Sequence, residues 1–254
     1  MSTLSSVLAL SAFRNPPELI EPSQNRAARQ TCHVQIDDLV QRVRAIQKKR
    51  AGSRVLLGIA GEPGGGKSTV AAALAAALGD AVVVPMDGFH LAGAELVRLG
   101  RADRKGAIDT FDAHGYLALL ERLRAPVAGE GVYAPAYLRE VEESIGSSIL
   151  VDPAIPVVIS EGNYLLVDRD PWPRVRAAFD EVWFVDTPRD LRLEWLVARH
   201  IAFGKPPEQA TAWANGPDER NASLVRTTRD RADLVVDASA LWPARAGDSG
   251  PESR

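Results

Sequence analysis

Gly61-Glu62-Pro63-Gly64-Gly65-Gly66-Lys67-Ser68 has the spacing of a phosphate-binding loop: two glycines framing four residues, then Lys and Ser. Each residue type there has a chemical use. Glycines accept positive φ and let the backbone approach a polyanion, so that successive N–H groups converge on α and β phosphates. Lys67 reaches toward the β and γ phosphates, and the Ser68 hydroxyl is a hard oxygen donor for Mg²⁺. A helix opening at Lys67, Ser68 and Thr69 turns the positive end of its dipole to the same anion. A random chain of this length carries the bare pattern roughly once in a hundred cases, so the flanking elements decide whether it is a site.

Those flanks are an apolar run at residues 55–60, expected as a buried strand, and a helix expected from the loop to residue 78. Residues 81–86, 155–160, 181–185 and 233–236 are further apolar runs, of the kind that suits strands covered on both faces. Helical stretches are expected at 36–49, 113–124, 174–179, 189–203 and 217–231. Strands alternating with helices predict an α/β fold: a doubly wound, three-layer α/β/α arrangement around five parallel strands. In such sheets ligands lie at the carboxyl ends of the strands. Asp87 follows the second run and Glu161 follows the third, each with a glycine after it. A phosphate loop needs such acids for two purposes. One carboxylate orders Mg²⁺ directly or through water, and another accepts the proton of an attacking hydroxyl while the γ-phosphoryl group leaves.

The helix expected at 189–203 carries Arg192, Arg199 and His200 and breaks at Gly204-Lys205-Pro206-Pro207. Cations at a helix C-terminus complement its dipole. A basic helix end running into a Gly and Pro hinge is also what a closing lid requires, here about residues 199–217, with cations that meet the γ-phosphate only when closed. Arg199 would then act as an arginine finger in cis.

The loop is followed in order by Asp87-Gly88-Phe89-His90, the stretch RKGAIDTFD at 104–112, Ala134-Pro135-Ala136-Tyr137, and Glu161-Gly162-Asn163-Tyr164. This set resembles the phosphoribulokinase and uridine kinase family, which includes bacterial-type pantothenate kinase. It is most similar there to bacterial kinases described as fructose transport system kinases or nucleoside/nucleotide kinase-like proteins. The resemblance spans residues 53–238. It implies a P-loop NTPase fold with a helical lid, ATP and Mg²⁺ as cofactors, Asp87 as catalytic base, and Glu161 acting with Ser68 near the metal. Lys67 and Arg199 complete the implied catalytic set, with Gly61, Glu62, Pro63, Gly64, Gly65, Gly66, Lys67, Ser68 and Thr69 as the ATP-binding loop. Phe89, His90, Arg104, Lys105, Asp109, Tyr137 and Arg139 fall on the acceptor side. Leu138 departs from the small or acidic residue expected between Tyr137 and Arg139. Relatives often form dimers, so a homodimer is an expectation here. Taken singly, His90 reads as a structural histidine, Phe89 and Tyr137 as core, and Arg104 with Lys105 as a charged loop; Asn221 and Arg226 are expected near the adenine side.

With 254 residues the chain has room for one substantial α/β domain, expected at 34–238, between a flexible extension at 1–33 and a disordered tail at 239–254. A net charge of −3 gives no electrostatic case for nucleic acid or an anionic membrane, so the expected partner is a small hydroxyl-bearing molecule. The single cysteine, Cys32, excludes an intrachain disulfide. The apolar stretch at 4–13 is too short to span a bilayer and lacks the basic residues of a secretory signal, so a cytoplasmic location is expected. Two function classes follow: a kinase moving the γ-phosphoryl of MgATP to a sugar, nucleoside or pantothenate-like alcohol, or a non-kinase ATPase serving as a switch or transport accessory. A guanine-reading Asn-Lys-x-Asp and a Leu-Ser-Gly-Gly signature are both missing from the sequence, which counts against GTPases and transporter ATPases.

Overall fold

Helix α1 (Ile36–Lys49) turns Leu39, Val43 and Ile46 inward as one stripe, with Asp37 and Asp38 in its first turn and Lys48 and Lys49 in its last, a polarity that complements the helix dipole. The computed structural model describes residues 35–241, and the expected N-terminal extension, with residues 4–13 and Cys32, and the tail from residue 242 lie outside them. Strand β1 (Val55–Gly61), buried over its whole length, runs into the glycine turn and helix α2 (Lys67–Leu78). Strand β2 (Ala81–Val83) is shorter than the apolar run to residue 86 predicts. Val84 N–H donates the last ladder bond to Ile159 O at 2.8 Å, and Pro85, with no N–H to give, ends the pairing. Residues Met86–Phe89 wind instead as a 3₁₀ turn that presents Asp87.

Helices α3 (Gly93–Arg98) and α4 (Ala113–Arg124) follow, the second capped by Asp112, whose Oδ1 accepts from Gly115 N–H at 2.8 Å. Strands β3 (Val132–Leu138) and β4 (Glu143–Val151) then form an antiparallel pair that the sequence does not announce. Strand β5 (Val157–Gly162), helix α5 (Trp172–Ala177), strand β6 (Glu181–Asp186) and helix α6 (Arg189–Ala202) lie within two residues of their expected bounds. The single helix expected at 217–231 is divided. Helix α7 (Pro207–Trp213) leads into a wide turn at Ala214–Asp218 that contains Pro217, then helix α8 (Glu219–Arg226) and a 3₁₀ turn at Arg229–Arg231. Strand β7 (Leu234–Asp237) is followed by the helical turn α9 (Ala238–Leu241), so regular structure runs three residues beyond the expected boundary at 238.

The main sheet has the order β2-β5-β1-β6-β7, and all its pairs are parallel. Successive side chains of a strand point to opposite faces. Leu56, Val158, Val182 and Phe184 therefore pack toward α4 and α5, while Leu57, Ile159, Trp183 and Val185 pack toward α1 and α2. Helices on both faces of five parallel strands give the expected three-layer α/β/α fold. β1 sits between β5 and β6, so the phosphate loop and Glu161 leave neighbouring strands on the same edge. The β3–β4 hairpin closes over the Asp87 turn. A Cβ at Gly88 would stand 2.4 Å from Pro135 O, so only glycine permits this approach. Among the described residues no helix is long and apolar enough to cross a membrane.

Candidate active site

The loop takes its shape from left-handed glycines: Gly64 has φ 78° and Gly66, the N-cap of α2, has φ 81°. A Cβ on Gly64 would meet Leu196 Cβ at 2.9 Å and Arg192 O at 3.0 Å, so α6 packs directly on the loop. Gly65 O accepts from Thr187 Oγ1 at 2.8 Å. The Glu62 carboxylate turns away from the concavity to the Arg226 guanidinium, at 2.8 and 2.9 Å, and to Arg192 Nε at 3.0 Å. Arg192, fully buried, also donates to Pro63 O at 3.1 Å and to Glu219. A buried charge must be paired and hydrogen-bonded, and this network locks the loop to α6 and α8.

Lys67 Nζ donates to Glu62 O at 3.0 Å and to Asn163 Oδ1 at 2.7 Å. Burial lowers its pKa to about 8, against the opposing pull of Glu161 and Asp87. Ser68 Oγ donates to Glu161 Oε1 at 3.1 Å. These two hard oxygens at the mouth of the loop fit Mg²⁺, and among the described residues no group of three or more His, Cys, Asp or Glu forms a cage. That donor set suits an ion that keeps phosphate oxygens and water as its remaining ligands.

The two carboxyls of the site have opposite environments. Burial, reinforced by the charge of Asp87, raises the Glu161 pKa. Burial works against ionised Asp87 as well, but neighbouring cations hold its carboxyl below the ordinary carboxylate range. His90 contributes most among these, though burial lowers its own pKa, and Arg139, Lys67 and Arg199 add further positive charge. Arg139 Nη2 stands 3.4 Å from Asp87 Oδ2.

Opposite the loop, the His90 ring lies 4.1 Å from Phe111 and 4.6 Å from Tyr137, and its Nδ1–H donates to Asp87 O at 2.8 Å. Lys105 and Arg139 lie over the Tyr137 ring, 5.5 and 5.9 Å from its centroid. The segment expected as a lid runs from the end of α6 through α7 and the wide turn. It contributes Arg199, His200 (2.8 Å from Asp218 Oδ2) and Lys205 (3.3 Å from Glu142 Oε1). Together these groups enclose a cavity of about 210 Å³.

Of the residues singled out in the sequence, Pro63, Gly64, Lys67, Ser68, Asp87, His90, Lys105, Tyr137, Arg139, Glu161, Arg199, His200 and Lys205 line this cavity, as does Asn221. Others do not reach it. Arg104 and Asp109, expected at the acceptor, pair with each other at 3.0 Å and with Arg101, which approaches Asp109 at 3.5 Å. Phe89 packs on Tyr116, with centroids 5.2 Å apart. Arg226, expected beside the base, is taken by Glu62. Thr69 is exposed on α2, and Gly61, Glu62, Gly65 and Gly66 form the loop's frame behind the lining. Glu142, Trp213 and Asp218 also line the cavity without having been singled out, and Asn163 does so having been quoted only within the Glu161–Tyr164 motif. Only Asn163 had a signal within reach: it follows Glu161 by two residues at a strand end.

A protein of Schizosaccharomyces pombe named as a candidate uridine kinase is 31% identical to this chain over 205 residues, covering 76% of this chain and 87% of its own. The pantothenate kinase of Limosilactobacillus reuteri is 28% identical over 220 residues, covering 82% and 71%. The crystal structure of a candidate fructose transport system kinase from Silicibacter sp. superposes with a TM-score of 0.72 at 37% identity, covering 79% of this chain and 98% of its own. The model of the phosphoribulokinase / uridine kinase family matches residues 56–240. The chain therefore belongs to the phosphoribulokinase / uridine kinase family of ATP-dependent phosphotransferases with alcohol acceptors.

Proposed function

We propose that this protein transfers the γ-phosphoryl group of MgATP to a hydroxyl of a small acceptor: a sugar, a nucleoside or a pantothenate-like alcohol. The observation that carries the reading is Asp87, a buried carboxylate kept ionised by surrounding cations, on the wall of the cavity that Lys67 and Ser68 also line. An ionised carboxylate there can take the proton from an acceptor hydroxyl as its oxygen meets the phosphorus. The backbone N–H groups from Gly64 to Ser68 and the Lys67 ammonium hold the donor phosphates. Mg²⁺, held by Ser68 and Glu161, would neutralise charge on the β and γ oxygens. Arg199, whose side chain has no ion pair or hydrogen bond among the described residues, would meet the transferring group from the lid side. The lid residues crowd water out, which favours transfer to the acceptor over hydrolysis.

The test is ADP release by the purified chain with MgATP and a panel of sugars, nucleosides and pantothenate. Release that rises with an added alcohol is expected. Hydrolysis that responds only to a macromolecular partner, with no alcohol stimulating it, would contradict the proposal.

A further inference from the structure

Besides Lys67, four cations line the cavity: Lys105, Arg139, Arg199 and Lys205. Lys205 is matched by the Glu142 carboxylate at 3.3 Å, and Arg199 is the lid residue already assigned to the transferring phosphoryl group. Lys105 and Arg139 are left with little. Among the described residues Lys105 approaches no carboxylate within ion-pair distance and donates only to the backbone carbonyl of Glu142. Arg139 has the single long approach to Asp87 at 3.4 Å, and Asp87 must release that partner's hold to take a proton. Both cations lie over one ring, Tyr137, beside His90, on the wall built by the loop after α3 and by the β3–β4 hairpin. This wall and the phosphate loop line the same cavity. Besides burial, the charges of Lys105 and Arg139 help to lower the His90 pKa, which favours the neutral imidazole beside them. With a neutral acceptor bound, Arg139 would keep only the Asp87 carboxylate, already committed to catalysis, and Lys105 no carboxylate at all. An anionic group on the acceptor matches them.

We infer that the acceptor is a hydroxylated anion whose carboxylate or phosphate group is held by Lys105 and Arg139 while its hydroxyl meets Asp87. The inference rests on the kinase reading above and narrows its substrate class. Free sugars and neutral nucleosides fit the wall poorly, because they leave its charged donors without a partner.

Matched acceptor pairs that differ in the anionic group test it with the full chain: glycerate against glycerol, pantothenate against panthenol, and ribose 5-phosphate against ribose. The first two pairs probe carboxylate, the third phosphate. The anionic member of a reactive pair is expected to have a kcat/KM higher by about tenfold or more. Lys105→Gln and Arg139→Gln are each expected to raise its KM by about tenfold while shifting the KM for ATP far less. A neutral member that reacts as well as its anionic partner would overturn the inference and leave the kinase reading standing. So would a loss confined to the KM for ATP, which would assign both cations to the donor side. A second measurement reads binding without turnover: acetylation of Lys105 in the MgADP-bound chain, quantified by mass spectrometry. Protection of Lys105 by an anion and not by its neutral partner is expected. Absence of protection by all three anions at saturating concentration overturns the inference whatever the turnover, whereas ADP release that no alcohol stimulates overturns the kinase reading itself.

Discussion

The phosphate loop and the proposed acceptor wall line one cavity, but they are fixed by different means. On the donor side the polar side chains of the loop have short partners: Lys67 with Asn163 at 2.7 Å, Ser68 with Glu161 at 3.1 Å, and Glu62 with Arg226 at 2.8 Å. On the acceptor side the cations lie over an aromatic ring at 5.5 and 5.9 Å, and the shortest ion pair to the base is 3.4 Å. A cradle for triphosphate gains from being preorganised, because the same donor is bound in every cycle and electrostatic stabilisation works only if the dipoles do not reorganise. The acceptor wall is where one member of a common fold can differ from another. Lys105 holds only a backbone carbonyl there and Arg139 only one long ion pair, so both keep charge to offer a ligand.

The largest effect expected from this contrast falls on Asp87. Asp87→Asn should lower kcat on the order of a thousandfold while leaving the Kd for ATP within about twofold, since it removes the base and not the cradle. Steady-state ADP release and calorimetric nucleotide binding separate the two. Next is the network behind the loop. Glu62→Gln deprives buried Arg192 and its neighbour Arg226 of a charge and should cost about 3 kcal/mol of stability, read as a fall in Tm of roughly 5–10 °C. The exposed Glu95–Arg98 pair is the control: Glu95→Gln should cost less than about 0.5 kcal/mol. Equal losses in the two variants would erase the distinction between a locked donor side and ordinary surface pairing. Gly64→Ala should destabilise by about 2 kcal/mol, from a non-glycine residue at φ 78° and a Cβ 2.9 Å from Leu196, and should weaken ATP binding with it.

The smallest effect is a pH dependence. Burial lowers the Lys67 pKa from 10.5 to about 8. Phosphate binding restores the charged ammonium, so above pH 8 nucleotide binding takes up a proton and the Kd for ATP should rise by up to about tenfold per pH unit. The folded state shows the matching sign. A lysine whose pKa is depressed on folding costs stability below pH 8, and that cost is relieved as the pH rises from 8 toward 10.5, where the unfolded chain binds the additional proton. Calorimetry in buffers of different ionisation enthalpy measures the proton uptake directly.

How legible each half was follows from the same physics. The donor half rests on local signals: a strand, left-handed glycines and a helix start, all within some two dozen residues, so spacing alone located Lys67 and Ser68. Asp87 and Glu161 were legible because both end apolar runs. The partners of Glu62 were not, since Arg192 and Arg226 lie far along the chain and no local pattern links them to the loop. The β3–β4 hairpin escaped notice because Pro135 interrupts one run and the other, Glu143–Val151, carries Gly146 and three serines among its apolar residues. A hairpin packed as a cover over a turn does not need the continuous apolar run of a central strand. Arg104 and Asp109 show the reverse failure. Their types suit a polar acceptor, but they satisfy each other at 3.0 Å and stay off the cavity wall.

The central claim is that the γ-phosphoryl group ends on an acceptor alcohol, with Asp87 taking the proton. ATP labelled at the γ-phosphate, incubated with the chain, Mg²⁺ and each member of the acceptor panel, tests it through the fate of the label. The label is expected in a new phosphate ester with the wild-type chain and to vanish from that ester with Asp87→Asn. Label released only as inorganic phosphate, at the same rate with and without every acceptor, would contradict the account.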